Sequence, residues 1–213
     1  MADNYLEKKL AEYRSRGSSP KTPVRPSLDT LLLRNRSCRG YRSDYIVKRR
    51  QLECLVDAAS KTASARNAQV LRYRLISSDE PEQAAEVLKT VKMGGALPEL
   101  HLPFPGTEPD AFIVVCSSVP ETRYVDIDLG ISLQTMLLKA TELGLNGLII
   151  CAFDKGYVRQ ALDLPYDPLC VVAIGKSVET YELSRVGAGE SLVYYRKDGV
   201  HIVPKLRLED LLI

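Results

Sequence analysis

Histidine is scarce in this chain. Only His101 and His201 occur, so acid–base chemistry by imidazole is thinly supplied. There is no C-x-x-C pair, and Cys38, Cys54, Cys116, Cys151 and Cys170 are odd in number and widely spread. These shortages argue against a zinc site, which draws on closely spaced cysteine and histidine ligands. They argue equally against a disulfide framework. Net charge is low as well. A formal +2 over 213 residues makes no case from the whole-protein field for nucleic acid or a membrane surface. No apolar run resembles a signal peptide, because MADNYLEKKLAEYR is charged throughout, and the expected location is cytoplasmic. No internal repeat is found. A hydrophobic content of 45% with 26% charged residues is that of a globular protein, here one domain plus an arm.

The stretch from Tyr124 to Phe153 organises the rest. Leu129, Ile131, Leu133, Met136, Leu137, Leu138, Ala140 and Leu143 place apolar residues on most faces of one helix, the pattern of a buried helix. It is too short and too polar for a membrane span, which needs about 20 mostly apolar residues. Asp126 or Asp128 is the expected N-cap, and Gly144 the stop. Asn146-Gly147 then turns into the apolar run 148–153, expected to be a central strand.

In chain order, residues 4–15 predict a short helix with Leu6, Leu10 and Tyr13 on one side. RGSSPKTPVRPS then predicts an extended linker. Together they make an arm over 1–26, with the main domain over 27–213. Ser27 is a helix N-cap, and a further helix runs from about Val47 to Ser60 with Leu52, Leu55, Val56 and Ala59 inward. After the turn 62–69 comes the alternating strand 70–76. Asp79 is the expected cap of a helix starting near Pro81. Met93 to Pro109 predicts a long loop or lid. Buried strands are expected over 111–117 and 169–175, a short helix over 157–162, and a hairpin turning at Asp198-Gly199. Cys116, Cys151 and Cys170, each in a strand-like run, are expected to behave as small core hydrophobes.

No Ser-His-Asp or Cys-His grouping stands out. What does stand out is clustered cations with hydroxyl neighbours: Arg34, Arg36, Ser37 and Arg39 early, Lys205 and Arg207 late. A guanidinium fork beside a hydroxyl suits phosphate oxygens; a solvated basic face is the competing reading. Cys151 is a thiol nucleophile by composition, or core packing by context.

Several of these pieces carry a resemblance. Asn35-Arg36-Ser37-Cys38-Arg39-Gly40-Tyr41 resembles the opening Arg-Arg-Ser-x-Arg-x-Phe signature of the FMN-dependent nitroreductase family. Ser64 to Gln69 is similar to its Ser-x-x-Asn-x-Gln turn. Asp128-Leu129-Gly130, Gln134, Leu137-Leu138 and Leu143-Gly144-Leu145 resemble its long central helix. Leu169 to Gly175 resembles its late strand, and Lys205 with Arg207 its terminal basic pair. The resemblance covers nearly the whole main domain and leaves the arm outside.

That resemblance implies an α+β fold: a three-layer α/β/α sandwich with a mostly antiparallel central sheet, assembled as an intertwined homodimer with FMN at the subunit interface. By position, Arg36, Ser37, Arg39, Lys205 and Arg207 are expected at the FMN phosphate and ribityl chain. Asn67 and Gln69 are expected on the isoalloxazine or ribityl oxygens. Cys151-Ala152 is expected to offer a backbone N–H toward flavin N5, and Gln134 to lie near the dimer seam. The implied activity is that of an NAD(P)H oxidoreductase, passing hydride in a ping-pong cycle from NADH or NADPH through flavin N5 to a nitroaromatic, quinone or similar acceptor. No side chain is expected to be catalytic, since such chemistry is borne by the cofactor. Two departures stand out: Asn35 replaces the first arginine, and Arg66 in the turn is placed toward the active-site mouth. They favour the alternative, a flavin-binding or regulatory protein of the same fold without turnover. A nucleic-acid binder using Arg34 to Arg50 is a third reading, opposed by the low net charge.

Overall fold

The computed structural model describes residues 7–9, 26–95 and 98–213. Residues 7–9 are helical, and the rest of the predicted arm up to residue 25 lies outside the described residues. From there the elements run α1 (Leu28–Arg34), α2 (Arg49–Ala59), β1 (Leu71–Ile76), α3 (Pro81–Leu88), β2 (Ala111–Ser117) and α4 (Arg123–Glu142). They continue with β3 (Asn146–Ile150), α5 (Lys155–Ala161), β4 (Asp167–Gly175), β5 (Thr180–Val186), β6 (Tyr195–Lys197) and β7 (Val200–Leu206).

The main sheet has the order β1-β2-β4-β3, and every neighbouring pair is antiparallel. Its middle strands are buried except at Asp167, because helices cover both faces. On one face Leu52, Leu55 and Ala59 of α2 join Leu133, Met136 and Ala140 of α4 against Ile113, Val115 and Val172. On the other, Ala84 and Val87 of α3 join Val158 and Leu162 against Phe112, Val114 and Val171. The expected three-layer α/β/α arrangement is therefore present. A second sheet, β5-β7-β6, stands beside it, with β5 parallel to β7. Sequence reading leaves β5 out, since Thr-Tyr-Glu-Leu-Ser-Arg-Val is half polar and has no turn of its own to announce it. The tight turn at Asp198-Gly199 is confirmed, both residues having positive φ (51° and 80°), as a primed hairpin turn requires.

Four local expectations need correction. The cap of α4 is Thr122, whose side chain accepts from the Val125 N–H at 3.4 Å; Asp126 falls in the first turn, where a carboxylate complements the helix dipole. Asp128 is buried instead, and its carboxylate accepts from the Ala65 N–H at 2.9 Å. The cap position of α3 is Glu80, not Asp79. Strand β3 ends at Ile150 and lies at the sheet edge rather than its centre. Cys151 lies beyond that end and is exposed, so it is not a core hydrophobe. The stop at Gly144 holds, with φ 74°.

Helix α4 is not covered all round. Tyr124 is 64% exposed, Ile127 48% and Ile131 37%. At about 100° per residue these three form one stripe, continued by half-buried Thr135 and Leu138.

Candidate functional site

Two glycines let the Ser37–Tyr41 segment lie against the main sheet. Ser37 bridges Gly147 at the start of β3, and the Cys38 N–H donates to the Gly147 carbonyl at 3.1 Å. A Cβ at Gly147 would stand 2.5 Å from Leu137 Cδ2 and 2.8 Å from the Ala173 carbonyl oxygen. At Gly175 it would stand 2.6 Å from the Tyr41 ring. The Tyr41 hydroxyl in turn donates to the Cys38 carbonyl at 2.8 Å. Asn35 fastens the same segment to α4, its amide donating to the Leu137 carbonyl and to Thr141 Oγ1, each at 3.2 Å. The residue in the place of the signature arginine therefore acts as a structural tie.

Held this way, Arg36, Ser37 and Arg39 line one cleft of about 320 Å³ together with Lys205, Tyr181, Tyr194, His201, Gln134 and Ile149. Early and late basic residues, far apart in the chain, thus meet. Arg36, Arg39 and Lys205 make no side-chain ion pair among the described residues; the Arg36 guanidinium turns to its neighbour's carbonyl and Arg39 Nη1 to the Ser37 carbonyl at 3.2 Å. The Nε atoms of Arg36 and Arg39 are buried without a hydrogen-bond partner. Burial also holds the Arg36 pKa below the usual guanidinium value. Lys205 is exposed and the two arginines are half-buried; buried Nε donors without a partner, on guanidinium groups that no carboxylate pairs, are arranged for an anion.

The other expected residues lie elsewhere on this chain. Arg207 is exposed past the end of β7 and does not line the cleft. Gln69 lines a second cleft of about 140 Å³ with Ser64, Tyr73, Asp128 and Ser132. Asn67 sits beside it, accepting from Gln69 Nε2 at 3.0 Å. Arg66, Asn67 and Gln69 all have positive φ (55°, 53° and 47°), an arrangement of non-glycine residues that costs energy and clusters at functional sites. Arg66 itself is exposed. Cys151 is exposed at the end of β3, and Ala152 edges a separate hollow, its carbonyl accepting from the Lys92 N–H at 2.8 Å. Ser132 and Gln134 are about 200° apart around α4, so the two clefts open on opposite sides of that helix. The uncovered Ile127–Ile131 stripe runs between them.

Sequence reasoning missed a buried polar group at the back of the larger cleft. The Glu179 carboxylate accepts from the Arg39 backbone N–H at 2.7 Å and from the Tyr181 hydroxyl. His201 Nε2 approaches Glu179 Oε1 to 3.1 Å, close enough for an ion pair, yet neither atom is in hydrogen-bond alignment. The His201 ring also stacks near Tyr181, with centroids 5.5 Å apart. Burial pushes the His201 pKa down; Glu179 opposes this, and Arg196 and Arg39 reinforce it. Cys38, close by, is pushed up to about 11, chiefly by burial. Glu179 could not be singled out from sequence, because only the parallel β5–β7 pairing sets Tyr181 opposite His201.

The lowered His201 pKa has a definite sign. Above the unfolded value of about 6.5 neither state is protonated and the group contributes nothing to pH dependence. As pH falls through that value, the unfolded chain takes up a proton that the native ring resists, so stability is lost. Urea midpoints should fall between neutral pH and about pH 5, and His201→Gln should flatten that limb. An equal slope in the variant would assign the acid limb to other groups.

Comparison with known proteins agrees with this architecture. No curated protein matches the chain significantly. A nitroreductase family protein from Clostridium difficile 630 is 25% identical, with TM-score 0.56, covering 70% of this chain and 83% of its own. A nitroreductase in complex with FMN from Exiguobacterium sibiricum is 18% identical, with TM-score 0.59 and coverages of 72% and 90%. An NAD(P)H:FMN oxidoreductase from Staphylococcus epidermidis is 17% identical, with TM-score 0.57 and coverages of 72% and 88%. The last two establish likeness of fold. The profile of the nitroreductase family itself matches residues 32–176, from the end of α1 through the arginine segment, the strained turn and α4 to the end of β4, and the chain belongs to that family.

Proposed function

We propose that the protein is an FMN-dependent NAD(P)H oxidoreductase of the nitroreductase type that works as a homodimer. One observation carries the reading: two buried, unpartnered arginine Nε atoms share a cleft with Ser37 and Lys205. That donor set fits a phosphate monoester dianion, which takes several charge-assisted bonds at once. The relatives named for FMN add to it at the level of family.

Arg36, Arg39 and Lys205 would neutralise the phosphate, and the Ser37 hydroxyl would donate to it. Arg207, two residues on from Lys205, would reach the same end of the cofactor once bound. Asn67 and Gln69 carry amides able both to donate and to accept, which suits the ring edge or the ribityl hydroxyls. The Cys151–Ala152 backbone, past the end of β3, would present an N–H to the ring. Bound FMN would supply hydride transfer from NADH or NADPH to a nitroaromatic, quinone or similar acceptor, donor and acceptor using the pocket in turn. The protein's part is to hold the anion and to place donors near the ring.

The homodimer is supported by what one chain leaves unfinished. The two clefts lie on opposite sides of α4, and the stripe between them is apolar and bare. A second copy related by a two-fold axis would cover that stripe and bring one chain's Ser64–Gln69 turn toward the partner's arginine cleft, as an isologous interface allows.

The test is a visible absorption spectrum of freshly purified protein, with heat release and mass identification of any yellow compound. FMN equimolar with the chain, bleached by NADH or NADPH and recoloured by an added quinone, is the expected result. Colourless protein that takes up no added FMN would overturn the reading. Flavin held without turnover by either donor would leave the flavin-binding alternative standing, with Asn35 and Arg66 as the residues to revert first.

A further inference from the structure

Cys151, the first residue past β3, lies near Cys170 of β4. The β3–β4 ladder pairs Asn146 with Gly175 and ends at Ile150 opposite Val171. One step further along the same antiparallel register, Cys151 falls directly opposite Cys170. Residues directly opposite in such a ladder have Cβ atoms about 4.5–5.5 Å apart and point to one face. That spacing is within a small backbone adjustment of the 3.5–4.5 Å typical of a disulfide. The side chains confirm the approach. Cys170 Sγ lies 3.5 Å from the Ile150 carbonyl oxygen, in the peptide that leads into Cys151, and the Cys151 thiol adds to the rise of the Cys170 pKa.

The pair is also asymmetric. Cys151 is exposed, whereas Cys170 is buried in the core beside Val172 and Leu169. Burial first, and the adjoining Cys151 thiol second, push Cys170 up to about 12. Cys38 and Cys116 are buried with pKa values raised to about 11, and Cys54 is intermediate in exposure. An oxidant arriving from solvent therefore meets Cys151 first, with a second thiol waiting behind it.

We propose that Cys151 and Cys170 form a reversible redox couple, with Cys151 as the attacking thiol and Cys170 as the resolving one, closed by exchange with a low-molecular-weight disulfide. In the first step the Cys151 thiolate, its proton lost to solvent, attacks one sulfur of the external disulfide. A protein mixed disulfide forms and one small thiolate leaves, taking up a proton. In the second step Cys170 gives its proton to solvent and attacks the Cys151 sulfur. The Cys151–Cys170 bond forms and the second small thiol departs, so the protein is oxidised by two electrons and the external disulfide is reduced to two thiols. The raised pKa of Cys170 slows this step without preventing it, since a tethered thiol resolves intramolecularly. Closure would extend the attachment of edge strand β3 to β4 past its last backbone pair and restrain 151–153, which adjoin the cleft-lining Ile149. The inference needs no flavin and stands apart from the proposed function.

The experiment incubates the full native chain with oxidised glutathione, quenches with acid and reads intact mass and non-reduced peptide maps. The expected product has lost two hydrogens and links the Cys151 and Cys170 peptides, and dithiothreitol reverses it. Cys151→Ser should leave Cys170 unreacted. Cys170→Ala, which avoids a buried hydroxyl, should stop at glutathione attached to Cys151. Wild-type protein that accumulates a stable glutathione adduct on Cys151 without resolving it would overturn the proposal. So would modification confined to Cys54. The wild-type arms decide the matter even if the core variant fails to fold.

Discussion

Replacing Arg36 and Lys205 together by alanine is expected to give a folded protein that has lost most of its affinity for FMN. Both side chains line the same cleft, from opposite ends of the chain, and neither has a carboxylate partner whose loss would disturb the fold. Hydrogen bonds to charged groups contribute about 1.5–3 kcal/mol each. Removing two should cost roughly 3–6 kcal/mol, or about two to four decades in the dissociation constant. Quenching of flavin fluorescence on titration into the apoprotein measures it directly. Arg34→Ala is the control, because Arg34 is exposed on α1 and does not line the cleft. Undiminished FMN binding in the double variant would sink the phosphate assignment, and a matching loss in Arg34→Ala would show that general basic charge, rather than this cleft, attracts the anion.

Gly147→Ala is expected to destabilise the protein and loosen the same cleft from behind. The added methyl would press on Leu137 of α4, on Ile174 of β4 and on the Ala173 carbonyl oxygen, the last of which is backbone and cannot swing aside. Overpacking of this kind costs about 3 kcal/mol at its upper end, which for a chain of this size lowers the thermal midpoint by about 6–12 °C. Gly147 also accepts from Cys38 and bridges Ser37, so relief of the clash must displace the segment that carries Arg36. FMN affinity should therefore fall along with stability. Gly156→Ala in α5 serves as the control: its Cβ would meet only Asp154 Oδ1 at 3.5 Å, and alanine is the better helix former. A normal melting temperature for Gly147→Ala would mean that α4 can shift off β3 without cost.

The two substitutions probe different levels of legibility. The arginine segment and Lys205 were visible in the sequence as chemistry, because cations beside a hydroxyl suit phosphate wherever they occur. Their meeting in one cleft was implied only through resemblance, and folding brings it about: Ser37 is bridged to β3 of the main sheet, Lys205 lies on β7 of the second, and both line the same cleft. Gly147 could be read locally as part of a turn. Its requirement for a bare Cα arises from Leu137, Ala173 and Ile174, none of which is its neighbour in the chain. His201 shows the same limit from the other side. Counting histidines made imidazole chemistry look thinly supplied, yet one of the two is buried in the cleft wall against Glu179, because β5 and β7 run parallel.

Local signals were decided by the sequence itself. The apolar runs of β2 and β4, the stop at Gly144, the cap at Ser27 and the turn at Asp198-Gly199 all depend on residues within a turn or two of one another, and propensity and periodicity act at that range. Tertiary structure alone decided that β3 is an edge strand, that Asp128 binds the Ala65 N–H instead of capping α4, and that Cys151 is exposed opposite Cys170. It also decided that the cleft and the Asn67–Gln69 turn lie on opposite sides of one helix with a bare apolar stripe between them. Burial, register and close approach are properties of pairs of distant segments, and a single chain read in order carries the residues of each pair without their distance.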